Sequence, residues 1–180
     1  MKKSGKYLLG FFAEKALAAQ SLRVDKKNKI TEKIMVKVAV KKLDERAVLP
    51  TYGSEFAAGA DLYALLDEEL CIQPQETKLV KTGLAMEIPE GYAGLIYARS
   101  GLASKRGLAP ANKVGVIDSD YRGEVMVALH NHSSVPQMVA VGERIAQLVV
   151  APFLKVEFSQ SEELSETVRG VGGFGSTGTK

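Results

Sequence analysis

Gly115-Val116-Ile117-Asp118-Ser119-Asp120-Tyr121-Arg122-Gly123-Glu124-Val125 reads as apolar strand, acidic turn, apolar strand. Val114, Val116 and Ile117 lead in, and Val125, Val127 and Leu129 leave in strict alternation. The spacing predicts a hairpin. Two carboxylates, a tyrosine and an arginine fall within five residues at its tip. Asp and Ser are ordinary turn residues, because their side chains hydrogen-bond the local backbone, so one reading is a plain polar hairpin. The other is a turn that holds one carboxylate as a base beside an aromatic wall.

Working outward, the same period of two recurs. Val36, Val38 and Val40 alternate with Lys37, Ala39 and Lys41, so Met35 opens the first predicted strand. Further strands are predicted over Leu79 to Ile88, Ala93 to Tyr97, Val114 to Ile117, Glu124 to Asn131, Met138 to Val141 and Ile145 to Val150. Gly and Pro punctuate them, as in Pro89-Glu90-Gly91. Short strands at this spacing favour an all-β sandwich or barrel over alternating strands and helices. One short helix is expected from Ser100 to Arg106, ended by Gly107.

The bulk numbers fit a single domain with tails. The chain has 180 residues, 46% apolar and 25% charged. Its one cysteine, Cys71, can form no internal disulfide and has no cysteine partner for a metal. No apolar run approaches the roughly 20 residues that span a bilayer, which argues against a membrane partner. Residues 1–34 hold nine Lys/Arg against three Asp/Glu, and residues 35–180 hold 15 against 18. The basic character therefore belongs to the leader. A nucleic-acid surface needs a basic patch on the folded body, so no nucleic-acid partner is expected. The leader reads as a short amphipathic helix from Lys6 to Leu22 and a solvated linker, Lys26-Lys27-Asn28-Lys29. Its basic start and short apolar run, broken by Glu14 and Lys15, fit a secretory signal poorly. The predicted organisation is an extension over 1–34, a β domain over 35–158 and a glycine-rich arm over 159–180.

Three other stretches could carry chemistry. Arg99-Ser100-Gly101 lies where a strand meets the predicted helix. Free amides at a helix start, a guanidinium and a hydroxyl together suit an anion, although Ser there is also a favoured N-cap. Gln147 is an amide in an apolar run and needs partners, either backbone or ligand. The tail 170–175 matches G-x-G-x-x-G, but a dinucleotide fingerprint needs a strand before it and a helix after it, and the pattern is rejected. It reads as a flexible linker or as an arm that closes over a phosphorylated base with Arg169, Phe174, Ser176 and Thr177. His130 and His132 have no third ligand nearby and read as structural.

Taken together, these stretches resemble the five ordered motifs of the trimeric dUTP nucleotidohydrolases (dUTPases). Ala58-Gly59-Ala60-Asp61-Leu62-Tyr63-Ala64 is similar to the first. Ala98-Arg99-Ser100-Gly101-Leu102-Ala103 is similar to the second, with Ala98 where proline is usual. The stretch from Asn112 to Gly123 resembles the third, Gly142 to Leu148 the fourth, and Arg169 to Gly178 the fifth. The resemblance covers about Val36 to Gly178. It implies a distorted jelly-roll and a homotrimer with swapped C-terminal arms, working in a bacterial-type cytoplasm unless the leader targets an organelle. It implies cleavage of dUTP to dUMP and pyrophosphate with Mg, limiting uracil in DNA and supplying dUMP for dTMP synthesis. The matching roles are Asp118 as the base on the attacking water and Tyr121 beneath the deoxyribose. Asn112 and the backbone of Gly115, Val116 and Ile117 would read uracil. Arg99, Ser100, Gly101 and Gln147 would hold phosphates. Phe174 would cover the base, with Arg169, Gly175 and Ser176 toward the distal phosphates. Asp61 would touch a metal-bound water. Two alternatives are a dCTP deaminase of the same fold, in which a second serine would follow Ser100, and a non-catalytic nucleotide-binding regulator.

Overall fold

A computed structural model describes residues 35–173 of the chain. The expected leader helix and Phe174, Gly175 and Ser176 lie outside the described residues. Among the described residues eleven strands and one helix follow in order: β1 Ala39–Lys42, β2 Thr51–Tyr52, β3 Ala60–Tyr63, β4 Leu70–Ile72, β5 Thr77–Glu87, β6 Tyr92–Ala98, α1 Ser100–Arg106, β7 Leu108–Pro110, β8 Gly115–Ile117, β9 Glu124–Asn131, β10 Gln137–Val139 and β11 Arg144–Pro152. All pairings are antiparallel, and no helix among the described residues is long and apolar enough to cross a membrane.

The strands form a four-stranded sheet, β1-β5-β9-β7, a five-stranded sheet, β2-β3-β11-β6-β8, and a small ribbon, β10-β4. Val80, Leu84, Val125, Val127 and Leu129 from the first sheet share one core with Leu62, Ile96, Ile117, Ala146 and Leu148 from the second. The alternation in β9 makes this possible, since every second side chain from Val125 to Asn131 is buried. The all-β expectation therefore holds. The first strand begins later than predicted, at Ala39. Val38 and Val40 pack on the core, but Met35 and Val36 are exposed.

One correction matters for the site. The predicted hairpin through Asp118 is not a paired hairpin. β8 pairs with β6 in the five-stranded sheet, and β9 pairs with β5 and β7 in the other. Ile117 and Val125 both point into the space between the sheets, so the loop from 118 to 123 crosses from one sheet to the other. This leaves β8 as an edge strand, with one row of backbone groups free of sheet partners.

Helix α1 occupies the predicted residues. Gly107 closes it in the left-handed conformation (φ 69°), donating to the Ala103 carbonyl at 3.1 Å. Ser100 does not cap it. Arg99 stands at the N-cap with extended backbone and makes no side-chain cap, and Ser100 is the first helical residue. At the other end, Arg106 donates to Glu143 Oε1 at 2.5 Å and to the Met138 carbonyl, tying α1 to the turn before β11.

Candidate active site

Asp118 lies beside a cleft of about 270 Å³. Asn112, Gly115, Val116, Ile117, Asp118 and Tyr121 line it, with Leu79, Ile96, Glu124, Val125 and Met126 on the far side. All six residues of the third motif that carry an expected role therefore share one cavity. Asp118 is exposed to solvent rather than buried in a dry interior. Among the described residues the walls of the cleft bear two carboxylates, Asp118 and Glu124, and no lysine or arginine.

Local contacts shape this cleft. Lys113 takes a left-handed turn (φ 65°) and donates its N–H to the Pro110 carbonyl at 3.0 Å, while Val114 N–H reaches the Asn112 carbonyl at 2.7 Å. That turn sets Asn112 against Gly115, where an added Cβ would meet Asn112 Nδ2 and Ile96 Cβ at 3.3 Å. Across the cleft, Tyr121 N–H donates to the Asp118 carbonyl at 3.2 Å, and Tyr121 Oη donates to the Glu124 carbonyl at 3.1 Å. Arg122 braces the loop from outside through the Ser119 carbonyl (2.6 Å) and Glu87 (3.3 Å). Glu124 anchors its foot: Oε1 accepts the N–H of Gly83 at 2.8 Å, where β5 shifts register against β9.

A second cluster is built on strand register. Asp61 in β3 faces Gln147 in β11, and Gln147 faces Tyr97 in β6, two residues before Arg99. Asp61 is only 3% exposed. Its Oδ1 accepts from Arg99 Nε at 2.9 Å and from Gln147 Nε2 at 3.5 Å, and its Oδ2 accepts from Arg144 Nη1 at 3.1 Å. Arg99 Nη1 also donates to the Arg144 carbonyl at 3.2 Å. The amide of Gln147 thus serves a carboxylate, a partner neither reading of it named. Gly59 leaves the room for that amide, since a Cβ there would stand 3.1 Å from Gln147 Cβ. Gly101, by contrast, has open space around it.

Arg144 is the residue that sequence reading missed. In a regular strand it would face away from Gln147, three positions on. The register of β11 against β3 shifts between Arg144 and Ala146, which brings Arg144 opposite Tyr63, on the same face as Asp61. Its place between Glu143 and Gln147 is the available signal; the shift itself leaves no trace in residue order.

The first, second and fourth motifs therefore meet at Asp61, and the third makes the Asp118 cleft. None of Arg99, Ser100, Gly101 and Gln147 lines that cleft in one chain. Arg169 donates Nε to the Gly172 carbonyl at 2.8 Å within its own exposed segment. The His130 and His132 rings meet edge to face at 4.3 Å, and His130 Nδ1 lies 2.8 Å from Thr77 Oγ1. Burial, His130 and Lys113 hold His132 below the ordinary histidine range. No group of three or more His, Cys, Asp or Glu that could hold a metal occurs among the described residues.

Fold and geometry define an antiparallel β protein with an acid-bearing cleft on a strand edge and a separate, carboxylate-anchored pair of arginines. The sequence profile described as dUTPase matches residues 45–178. The deoxyuridine 5'-triphosphate nucleotidohydrolase of Desulfitobacterium hafniense is 53% identical over 146 residues, 81% of this chain and 97% of that one. Its counterpart in Hydrogenobaculum sp. is 51% identical over 145 residues, covering 81% of this chain and all of the relative. Among solved structures, a variant of the Staphylococcus bacteriophage 80alpha dUTPase with dUpNHpp superposes with a TM-score of 0.70 at 32% identity, covering 79% of this chain and 99% of that one. A phage phi11 dUTPase structure, described as coordinating a structural Mg(II) ion, matches with a TM-score of 0.65 at 28% identity, over 72% of this chain and 99% of that one. The chain belongs to the dUTPase family.

Proposed function

We propose that this chain hydrolyses dUTP to dUMP and pyrophosphate in a site assembled from more than one copy of itself. One observation carries the reading. Asp118, Tyr121, Asn112 and the free edge of β8 line one cleft, and no cation among the described residues lines it with them. A nucleoside fits such a cleft, but a triphosphate also needs positive charge. Arg99 and the amide-bearing start of α1 offer that charge on a different part of the surface, together with Gln147. A second copy that presents its Asp61 face to the Asp118 cleft completes the site. A homotrimer gives each cleft such a neighbour, and the glycine-rich arm over 159–180 supplies Arg169, Phe174, Gly175 and Ser176 as a cover.

In this reading the edge of β8 at Gly115, Val116 and Ile117, with Asn112, binds the base through backbone and amide groups. The Tyr121 ring forms the floor beneath the deoxyribose. Asp118, exposed and next to the sugar, accepts a proton from the water that attacks the α-phosphorus. Such a base is worth roughly 10²- to 10⁴-fold. Phosphoryl transfer asks the protein mainly for position and charge, and the anchored arginines provide both.

Magnesium fits this arrangement. A carboxylate has about four acceptor positions. Three at Asp61 are taken by Arg99, Gln147 and Arg144, which leaves one for a metal-bound water. Mg keeps most of its waters and binds largely through substrate phosphates, so no carboxylate cage is needed. When bound, it neutralises charge developing on the phosphates. The product dUMP would feed dTMP synthesis in a bacterial-type cytoplasm.

The test is the full chain with Mg and, in turn, dUTP, UTP, dTTP and dCTP, with pyrophosphate and ammonia both measured. Pyrophosphate from dUTP in step with dUMP is expected. Ammonia from dCTP would establish a deaminase instead, and nucleotide binding without pyrophosphate would establish a regulator.

A further inference from the structure

We infer that Gly123 is a specificity-positioning residue: it leaves the space into which the Tyr121 ring folds, and so sets the height of the sugar floor. The inference rests on the proposed dUTP reading and deepens it. A Cβ built on Gly123 would stand 2.3 Å from Tyr121 Oη, 2.6 Å from Cζ and 3.0 Å from Cε2. The hydroxyl end of the ring therefore occupies the space where a Gly123 side chain would begin, two residues along its own loop. Its hydroxyl continues past the glycine to the Glu124 carbonyl at 3.1 Å. Little else fixes the ring from outside, since Tyr121 is 44% exposed.

Backbone conformation does not require glycine here. Among the described residues the glycines with positive φ are Gly83, Gly91, Gly107, Gly142 and Gly170, and Gly123 is not one of them. An alanine can adopt the backbone, but not beneath the ring. Nonbonded carbon contacts settle near roughly 3.5 Å, so the ring must retreat by more than about 1 Å. It is the free end of an exposed side chain, and it moves at small cost to the fold. Retreat breaks the bond to Glu124 and unseats the surface on which a 2′-deoxy sugar rests. A misplacement of about 1 Å in a positioning group can cost on the order of 10²-fold.

The experiment compares kcat/KM for dUTP and UTP in the full chain and in Gly123→Ala, Tyr121→Ala and the double variant. Gly123→Ala should lower the dUTP-to-UTP ratio at least about tenfold. Placed on Tyr121→Ala, the same substitution should change the ratio less than about twofold, because its effect runs through the ring. A wild-type ratio in Gly123→Ala, or a second full loss in the double variant, would overturn the inference. If Gly123→Ala alone fails to fold, the double variant should recover the stability of Tyr121→Ala; failure of both would also overturn it. Tyr121 ring resonances in Gly123→Ala should shift whether or not the protein cleaves dUTP. A wild type inert to dUTP would therefore defeat the parent reading while leaving the ring contact separately tested.

Discussion

The Asp118 cleft and the Asp61 cluster are built in opposite ways. The cleft lies along a loop between two sheets, shaped mostly by contacts a few residues long, Tyr121 to Glu124, Arg122 to Ser119 and Val114 to Asn112, with Glu124 to Gly83 and Arg122 to Glu87 as longer ties. The cluster is a product of register across three neighbouring strands, with a buried carboxylate joining residues 38 and 83 positions away. A locally built site tolerates change elsewhere in the fold but depends on each of its own residues. A register-built site tolerates little, because its members hold one another. The first suits a group that must meet solvent and substrate, and the second suits a fixed charge.

The largest effect separates chemistry from architecture. Asp118→Asn should lower kcat by about 10²- to 10⁴-fold and leave dUTP affinity and thermal stability near wild type, because the carboxylate is exposed. Isothermal titration with a non-hydrolysable dUTP analogue, run beside the turnover assay, checks both halves. Near-normal turnover would remove Asp118 from the role of base. Stopping the chain after Thr167 should likewise abolish most turnover while the β domain keeps its melting temperature; full activity would make the arm dispensable.

A mixing experiment breaks the comparison at its centre. Asp118→Asn and Arg99→Gln chains, each inactive alone, are denatured, combined equally and refolded. If cleft and cluster face each other across copies, about a quarter of the sites in random assemblies regain both wild-type residues. If both groups act within one chain, no activity returns.

Much of this division was legible from residue order. The Asp118 loop concentrates two carboxylates, an aromatic ring and a cation between two apolar runs, and α1 ends at Gly107 as its residue type allows. What stayed hidden is tertiary. β2, β3, β4 and β7 are two to four residues long and carry no readable period. Asp61 sits in a buried strand, where sequence pattern favours an apolar residue, and only its partners explain it. The shift that turns Arg144 toward Asp61, and the sheet change between β8 and β9, depend on which strands meet.

Asp61→Asn sharpens the register side. It leaves Arg99 and Arg144 without their shared anion and should cost about 2–3 kcal/mol by denaturant melts. The loss falls on stability and on KM together, in contrast to Asp118→Asn. An unchanged melt would mean that the cluster is not structural.

The smallest effect lies at the His130–His132 pair. Partial desolvation of the otherwise exposed ring, then the charges of His130 and Lys113, keep His132 below the ordinary histidine range. Among the described residues the Thr77 hydroxyl, 2.8 Å from His130 Nδ1, is the polar group that meets the pair from the facing strand. A histidine with a depressed folded pKa binds more protons when unfolded. Its contribution is complete above the unfolded value of about 6.5 and is lost as pH falls through that value toward the folded one. Wild type should therefore lose stability between pH 7 and 5 relative to His132→Gln. Because His132 is exposed, solvent screening keeps the difference below about 0.5 kcal/mol. Parallel urea melts at the two pH values read it directly. A larger loss in His132→Gln than in wild type would reverse the sign and show that the imidazole gains, rather than loses, proton affinity on folding.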